Sequence, residues 1–188
     1  MFETKGHQTQ EFVEKFISFG IVEAKISKIE YVKSQIGTEG MKITHSTKPE
    51  SALGGEGKTA ETTFWMSANA WSMTKDRIVI MADKLNVRNQ LDSISSESAE
   101  DYVNKVAKVF VGKTARWKFA GKEIPGKEGK QSWFKAELAP FGFVESLDIS
   151  KEQSKLKFNP DKDLKKLPIS ELELSGSTAN GEANSVGW

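Results

Sequence analysis

The feature that most constrains this chain is a double change in its hydrophobic period. Apolar residues alternate from Phe16 to Ser67, recur at helical spacing from Trp71 to Phe110, and alternate again from Thr114 to Val144. A period of two places alternate side chains on opposite faces of a strand, and a period near 3.6 gathers them into a stripe on a helix. The chain therefore reads as three strands, two helices, two or three more strands and a tail.

Within the first β stretch, Ile17, Phe19 and Ile21 alternate, then Ala24 and Ile26, then Ile29 and Tyr31. The two shifts of phase predict one long, bent strand over 16–34, with a bulge near Val22 and Lys28. Gly37 to Gly40 is a turn, and Met41 to Thr47 returns as the antiparallel partner. Pro49 to Lys58 holds three glycines and reads as a loop. Thr59 to Ser67 is a third strand, with Phe64 and Met66 on one face and Thr63 and Trp65 on the other.

Trp71, Ile78, Ala82 and Leu85, with Val79 and Met81, make the apolar face of a first helix, and Trp71 is expected to pack it. Asn86 to Glu97 is polar and loop-like. A second helix starts at Ser98, whose hydroxyl is placed to accept the amide proton of Asp101. Its buried stripe is Tyr102, Val106, Val109 and Phe110, and Gly112 stops it. In the strands that follow, Trp117 and Phe119 share one face and Arg116 and Lys118 the other. Similarly, Phe134, Ala136 and Leu138 oppose Trp133, Lys135 and Glu137. Phe141 to Val144 completes the β content, and the sequence turns charged after about Leu147.

The 188 residues suit one domain, and a hydrophobic content of 37% suffices for a packed core. The expected organisation is a domain over 1–168, with a helical insertion at about 69–112, and a flexible tail over 169–188. The formal charge is +1, from 27 basic and 26 acidic residues. Three of the acidic groups, Glu171, Glu173 and Glu182, fall in the tail, which has no lysine or arginine; a mildly basic body precedes an acidic tail. Without cysteine there is no disulfide, thiolate catalysis or thiolate zinc, which suits a reducing compartment. The only histidines, His7 and His45, lie in no metal or relay motif. No stretch approaches the roughly 20 apolar residues of a membrane span, and Met1 to Gln10 is not a secretory signal. The expectation is a cytoplasmic protein with no membrane partner, no metal and no cofactor, and not an enzyme.

Five strands that curl into a small barrel, with helix between the third and fourth, describe an α+β, mainly β, OB-fold-like barrel. A plain β-sandwich or jelly roll gives the same strings. One motif points elsewhere. Ala52 to Thr59 satisfies a loosened P-loop pattern, and Ile78 to Asp83 imitates the acidic strand that accompanies it. A P-loop needs a buried strand before it and a helix after it, and neither flank fits. The same pattern also matches Ala107 to Thr114, which shows how cheaply it arises.

An amphipathic helix ending in Phe110-Val111-Gly112-Lys113 is followed by the basic strand Arg116-Trp117-Lys118-Phe119 and a glycine and lysine turn. Trp133-Phe134-Lys135 then leads to Pro140-Phe141-Gly142-Phe143-Val144-Glu145. Together these resemble the second half of bacteriophage single-stranded DNA-binding proteins. The pattern covers about a quarter of the chain closely. The resemblance implies an OB-fold that coats and protects single-stranded DNA during replication or recombination in the host cytoplasm. It implies a mobile acidic tail that recruits replication or recombination proteins, and it allows an oligomer. The tail departs from the family in being weakly acidic and in ending Val186-Gly187-Trp188. The alternative is a phage structural or accessory β-protein that uses its aromatics for protein contacts.

Single strands are held by aromatic faces on which bases stack and by basic groups along the phosphates. Trp133 and Trp65 are the stacking candidates. Lys135 shares the face of Trp133, and Arg116, Lys118 and Lys122 are candidate phosphate partners, with Lys25, Lys33 and Lys42 from the first hairpin behind them.

Overall fold

The computed structural model describes residues 15–48, 57–126 and 131–168. The elements run β1 (Gly20–Lys33), β2 (Glu39–Ser46), β3 (Thr59–Trp65), α1 (Trp71–Lys84), α2 (Arg88–Asp92), α3 (Ala99–Phe110), β4 (Thr114–Ile124), β5 (Trp133–Leu138), β6 (Val144–Glu145), α4 (Pro160–Asp163) and β7 (Leu164–Lys165). They form a mainly antiparallel sheet of order β3-β2-β1-β4-β5, with β6 and β7 both on β4.

β1 is shared between two partners. Gly20 to Lys25 pairs with β4 and Lys25 to Lys33 with β2, and a register shift between Ile26 and Lys28 lets the strand bend from one to the other. The bulge expected near Lys28 is present; at Val22 the ladder is regular, and the strand starts at Gly20 rather than Phe16. The bending brings β3 and β5 side by side. Thr59 to Glu61 lies along Trp133 to Ala136, and the Leu138 amide donates to the Thr62 hydroxyl at 2.9 Å. No ladder joins the two strands among the described residues, so the sheet curls without closing. Phe16 and Ile17 occupy the free edge of β3 at its start, where the Ile17 amide donates to the Thr59 carbonyl at 2.8 Å.

The helices cover one mouth of the curl. The Ser98 hydroxyl caps α3 by accepting from the Asp101 amide at 3.1 Å, as the sequence predicts. Val103, Val106 and Phe110 are its fully buried residues, and Gly112 follows at φ +88°, a left-handed conformation that favours glycine. The stretch after α1 departs from expectation: Arg88–Asp92 forms the short helix α2, anchored by Leu91, so there are three helices before β4 and not two. Trp71 stands edge-on to Tyr102 at 5.6 Å and joins α1 to α3. None of the described helices is long and apolar enough to cross a membrane.

Inside the curl, Ile26, Met41, Ile43, Phe64, Trp117, Phe119 and Phe143 are buried, and the Trp117 indole donates to the Ala24 carbonyl at 2.8 Å. A buried tryptophan is thereby satisfied at its polar end. The second departure lies beyond Val144. The charged stretch is part of the fold: it leaves β6, crosses the outer face of β4 and returns to pair in parallel at Gly121 and Lys122 as β7. The expected tail, residues 169–188, lies outside the described residues.

Candidate nucleic-acid interface

The open seam between β3 and β5 is a groove of about 720 Å³, walled by Phe16 to Phe19 and Thr59 to Glu61 on one side and Trp133 to Ala136 on the other. Its lining is mainly apolar and includes four aromatic side chains, Phe16, Phe19, Trp133 and Phe134. Phe16 is 72% exposed and Trp133 53%; the Phe19 ring meets Phe134 edge-on at 5.7 Å and stacks on Phe158 at 5.8 Å. A strand end puts Trp133 here because Ile124, its cross-strand partner, is the last residue of β4, so the indole projects past the packed part of the sheet.

Lys135 lines the same groove. It is paired with Glu137 at 3.2 Å and lies in register with Lys122 on β4. Trp65 lies at the other end of β3, roughly 20 Å along the strand direction from Trp133. Its indole lies on Gly40, where an added Cβ would sit 2.8 Å from the ring. The two tryptophans therefore belong to opposite ends of the seam.

Arg116 and Lys118 take a different place from the one expected of phosphate partners. Arg116 meets Glu145 at 2.8 Å with side-chain exposures of 7% and 5%, and also donates to the Ile149 carbonyl. Lys118 meets Asp163 at 3.2 Å, with exposures of 13% and 10%. Both face outward from β4, as alternation requires, but β6 and the segment after it cover them: Glu145 and Asp163 supply counter-ions from there, and Glu23 of β1 lies 3.7 Å from Arg116 as well. Burial alone pushes the Glu145 carboxyl up, but the Ser154 hydroxyl, the Lys155 amide and Arg116 together hold it below its ordinary value. These cations pin the covering segment.

The first hairpin is likewise largely neutralised. Lys42 lies 3.5 Å from Glu30 and 3.6 Å from Glu61, Lys33 lies 3.8 Å from Glu39, and Lys28 lies 2.7 Å from Glu30. The Lys28 ammonium beside Glu30 holds that carboxyl below the usual range. Lys25 is exposed on the outer face of β1, opposite Ser46 and Thr114.

Phe16 and Phe19 are groove residues that alternation assigns only to a strand. Their signal was present as aromatics at the start of a β stretch, but the seam that makes them walls joins segments more than a hundred residues apart. Most of the P-loop-like stretch lies outside the described residues, but its context is excluded. Thr59 opens a strand where a helix is required, and Ile78 to Asp83 lies inside α1. Among the described residues no cluster of histidine, aspartate and glutamate could hold a metal ion. No protein-family model matches the chain, and no curated protein matches it significantly.

Proposed function

We propose that this chain is an OB-fold-like barrel that binds single-stranded DNA with little sequence preference, coating strands exposed in replication or recombination. The observation that carries the reading is the aromatic groove between β3 and β5, with Trp133 half-exposed beside Lys135. Every base has a π-face, so such a wall accepts bases regardless of identity. The fold reading is supported by a first strand shared between β2 and β4, the parallel approach of β3 and β5, and helices between β3 and β4. Partners recruited through residues 169–188 are part of the same proposal.

The test is anisotropy of a labelled oligo-dT titrated with the protein at low and moderate salt, with a duplex of equal length as competitor. Tight, salt-sensitive binding that the duplex fails to displace is expected. No binding at low salt refutes the reading.

A second reading, an accessory β-protein that docks on other proteins, is favoured by Ile36 at 91% exposure and Phe141 at 75%, both at turns and neither in the groove. It predicts a stable oligomer or complex by light scattering that is indifferent to oligonucleotide.

A further inference from the structure

Lys135, Lys122 and Lys165 stand in one cross-strand row. Lys122 is in register with Lys135 on β5 and with Lys165 on β7, and all three side chains are exposed. Paired residues share a face, and neighbouring strands lie about 4.8 Å apart, so the row spans roughly 10 Å across three strands. Like charges placed directly opposite one another oppose sheet formation. Glu137, beside Lys135, is the one acid paired with any member of the row among the described residues.

The fold nonetheless assembles this repulsive row at some length. Lys165 reaches it on a two-residue strand, at the end of a segment pinned over β4 by Arg116–Glu145 and Lys118–Asp163. On the outer face of β1 and β2, by contrast, Lys28 and Lys42 are paired with Glu30, and Lys42 also with Glu61 of β3; Lys25 on β1 has no acidic partner among the described residues. A row of three lysines with a single acid among them, and with Lys122 and Lys165 unpaired among the described residues, marks where an outside anion supplies the missing charge.

We infer that Lys135, Lys122 and Lys165 form a phosphate track that crosses β5, β4 and β7 and takes consecutive phosphate groups of one polyanion. About 10 Å spans two consecutive phosphate groups of an extended single strand. Trp133 precedes Lys135 by two residues, and so lies on the same face and at the groove. Resting on the nucleic-acid reading, the occupant is the backbone of a single strand whose bases lie against Trp133. The strand then leaves the groove over the β4–β5 hairpin and not over the first hairpin. Inorganic polyphosphate shares the chemistry.

The test compares the wild-type chain with Lys122→Gln/Lys165→Gln, and with Lys28→Gln as a control at a lysine already paired with an acid. Labelled oligo-dT is titrated over a range of salt, and melting is followed with and without sodium tripolyphosphate. The double variant is expected to bind at least tenfold more weakly at low salt. Its slope of log affinity against log salt should fall by about 1.4, at roughly 0.7 for each phosphate no longer neutralised. It should melt no lower than wild type in the absence of anion, because repulsion has been relieved; Lys28→Gln should bind as wild type does. Equal affinity and slope in double variant and wild type overturn the track while leaving the nucleic-acid reading standing. If the wild type binds no oligonucleotide, that reading falls and tripolyphosphate decides: stabilisation of the wild type but not of the double variant retains the track for free polyphosphate, and stabilisation of neither overturns it.

Discussion

The guanidinium of Arg116 lies 2.8 Å from the carboxylate of Glu145, and both side chains are almost wholly buried beneath the segment that links β6 to β7. Removing Arg116 leaves Glu145 as a buried charge without its cation, which costs about 3–5 kcal/mol, whereas Arg116 without Glu145 keeps Glu23 at 3.7 Å. Arg116→Ala is therefore expected to lower Tm by roughly 6–20 °C for a chain of this size. Glu145→Gln should also destabilise without tightening oligonucleotide binding; tighter binding would mean that the freed arginine reaches phosphate.

Arg77 joins four parts of the fold. Its guanidinium lies 4.0 Å from the centre of Phe64 and 4.9 Å from that of Phe143, and donates to the carbonyls of Leu138 and Ala139 at 3.3 and 3.1 Å. Burial lowers its pKa to about 10, with Glu137 acting in the opposite sense. Hydrogen bonds from a charged donor contribute about 1.5–3 kcal/mol. Arg77→Met, which keeps the bulk and loses the donors, should cost about 2–4 kcal/mol in denaturant melts, by the same principle. Loss of protection should appear in hydrogen exchange at Leu138, which faces β3.

The two tryptophans should separate in binding. Trp133→Ala is expected to weaken oligonucleotide affinity by about 1–3 kcal/mol, the worth of one stacked base, while leaving Tm nearly unchanged because the indole is half exposed. Trp65 lies on Gly40 and away from the groove. Trp65→Ala should leave affinity for short oligonucleotides within about twofold, an energy below roughly 0.5 kcal/mol, and be detected instead as a lower Tm.

His45 predicts how stability follows pH. Its ring is fully buried, edge-on to Trp117 at 4.4 Å and to Phe119 at 5.5 Å, with no hydrogen-bond partner for either nitrogen among the described residues. Desolvation lowers its pKa from 6.5 to about 3. Below pH 6.5 the unfolded chain takes up a proton that the folded chain refuses, so stability falls by about 1.4 kcal/mol per pH unit until roughly pH 3. Above pH 6.5 this dependence vanishes. His45→Phe should abolish it, losing about 2 kcal/mol less than wild type between pH 7 and pH 5 in urea titrations.

Local rules made several of these features legible in the sequence. Ser98 caps α3 because a cap is a contact three residues away. Trp117 and Phe119 face inward because alternation survives in the interior of a paired strand. The bulge at Ile26 and Lys28 left a phase shift that the side chains record. At Val22 a similar shift misled: Ile21 and Val22 remain in a regular ladder with β4, and the apolar residue at 21 simply faces outward.

The sequence by itself determined the order and type of the main elements, the inward faces of β3, β4 and β5 and the presence of aromatics beside lysines. These are short-range properties, set by periodicity, capping and turn chemistry. Only the tertiary structure decided what those faces meet. Alternation told that Arg116 and Lys118 point outward, but not that Glu145 and Asp163 return from a later segment to bury them. Two-residue strands such as β7 carry no period to read, so the position of Lys165 beside Lys122 was invisible. The groove exists because a bent first strand brings Phe16 and Trp133 to a common seam. Contacts between such distant residues follow from how the sheet curls, which no local pattern encodes.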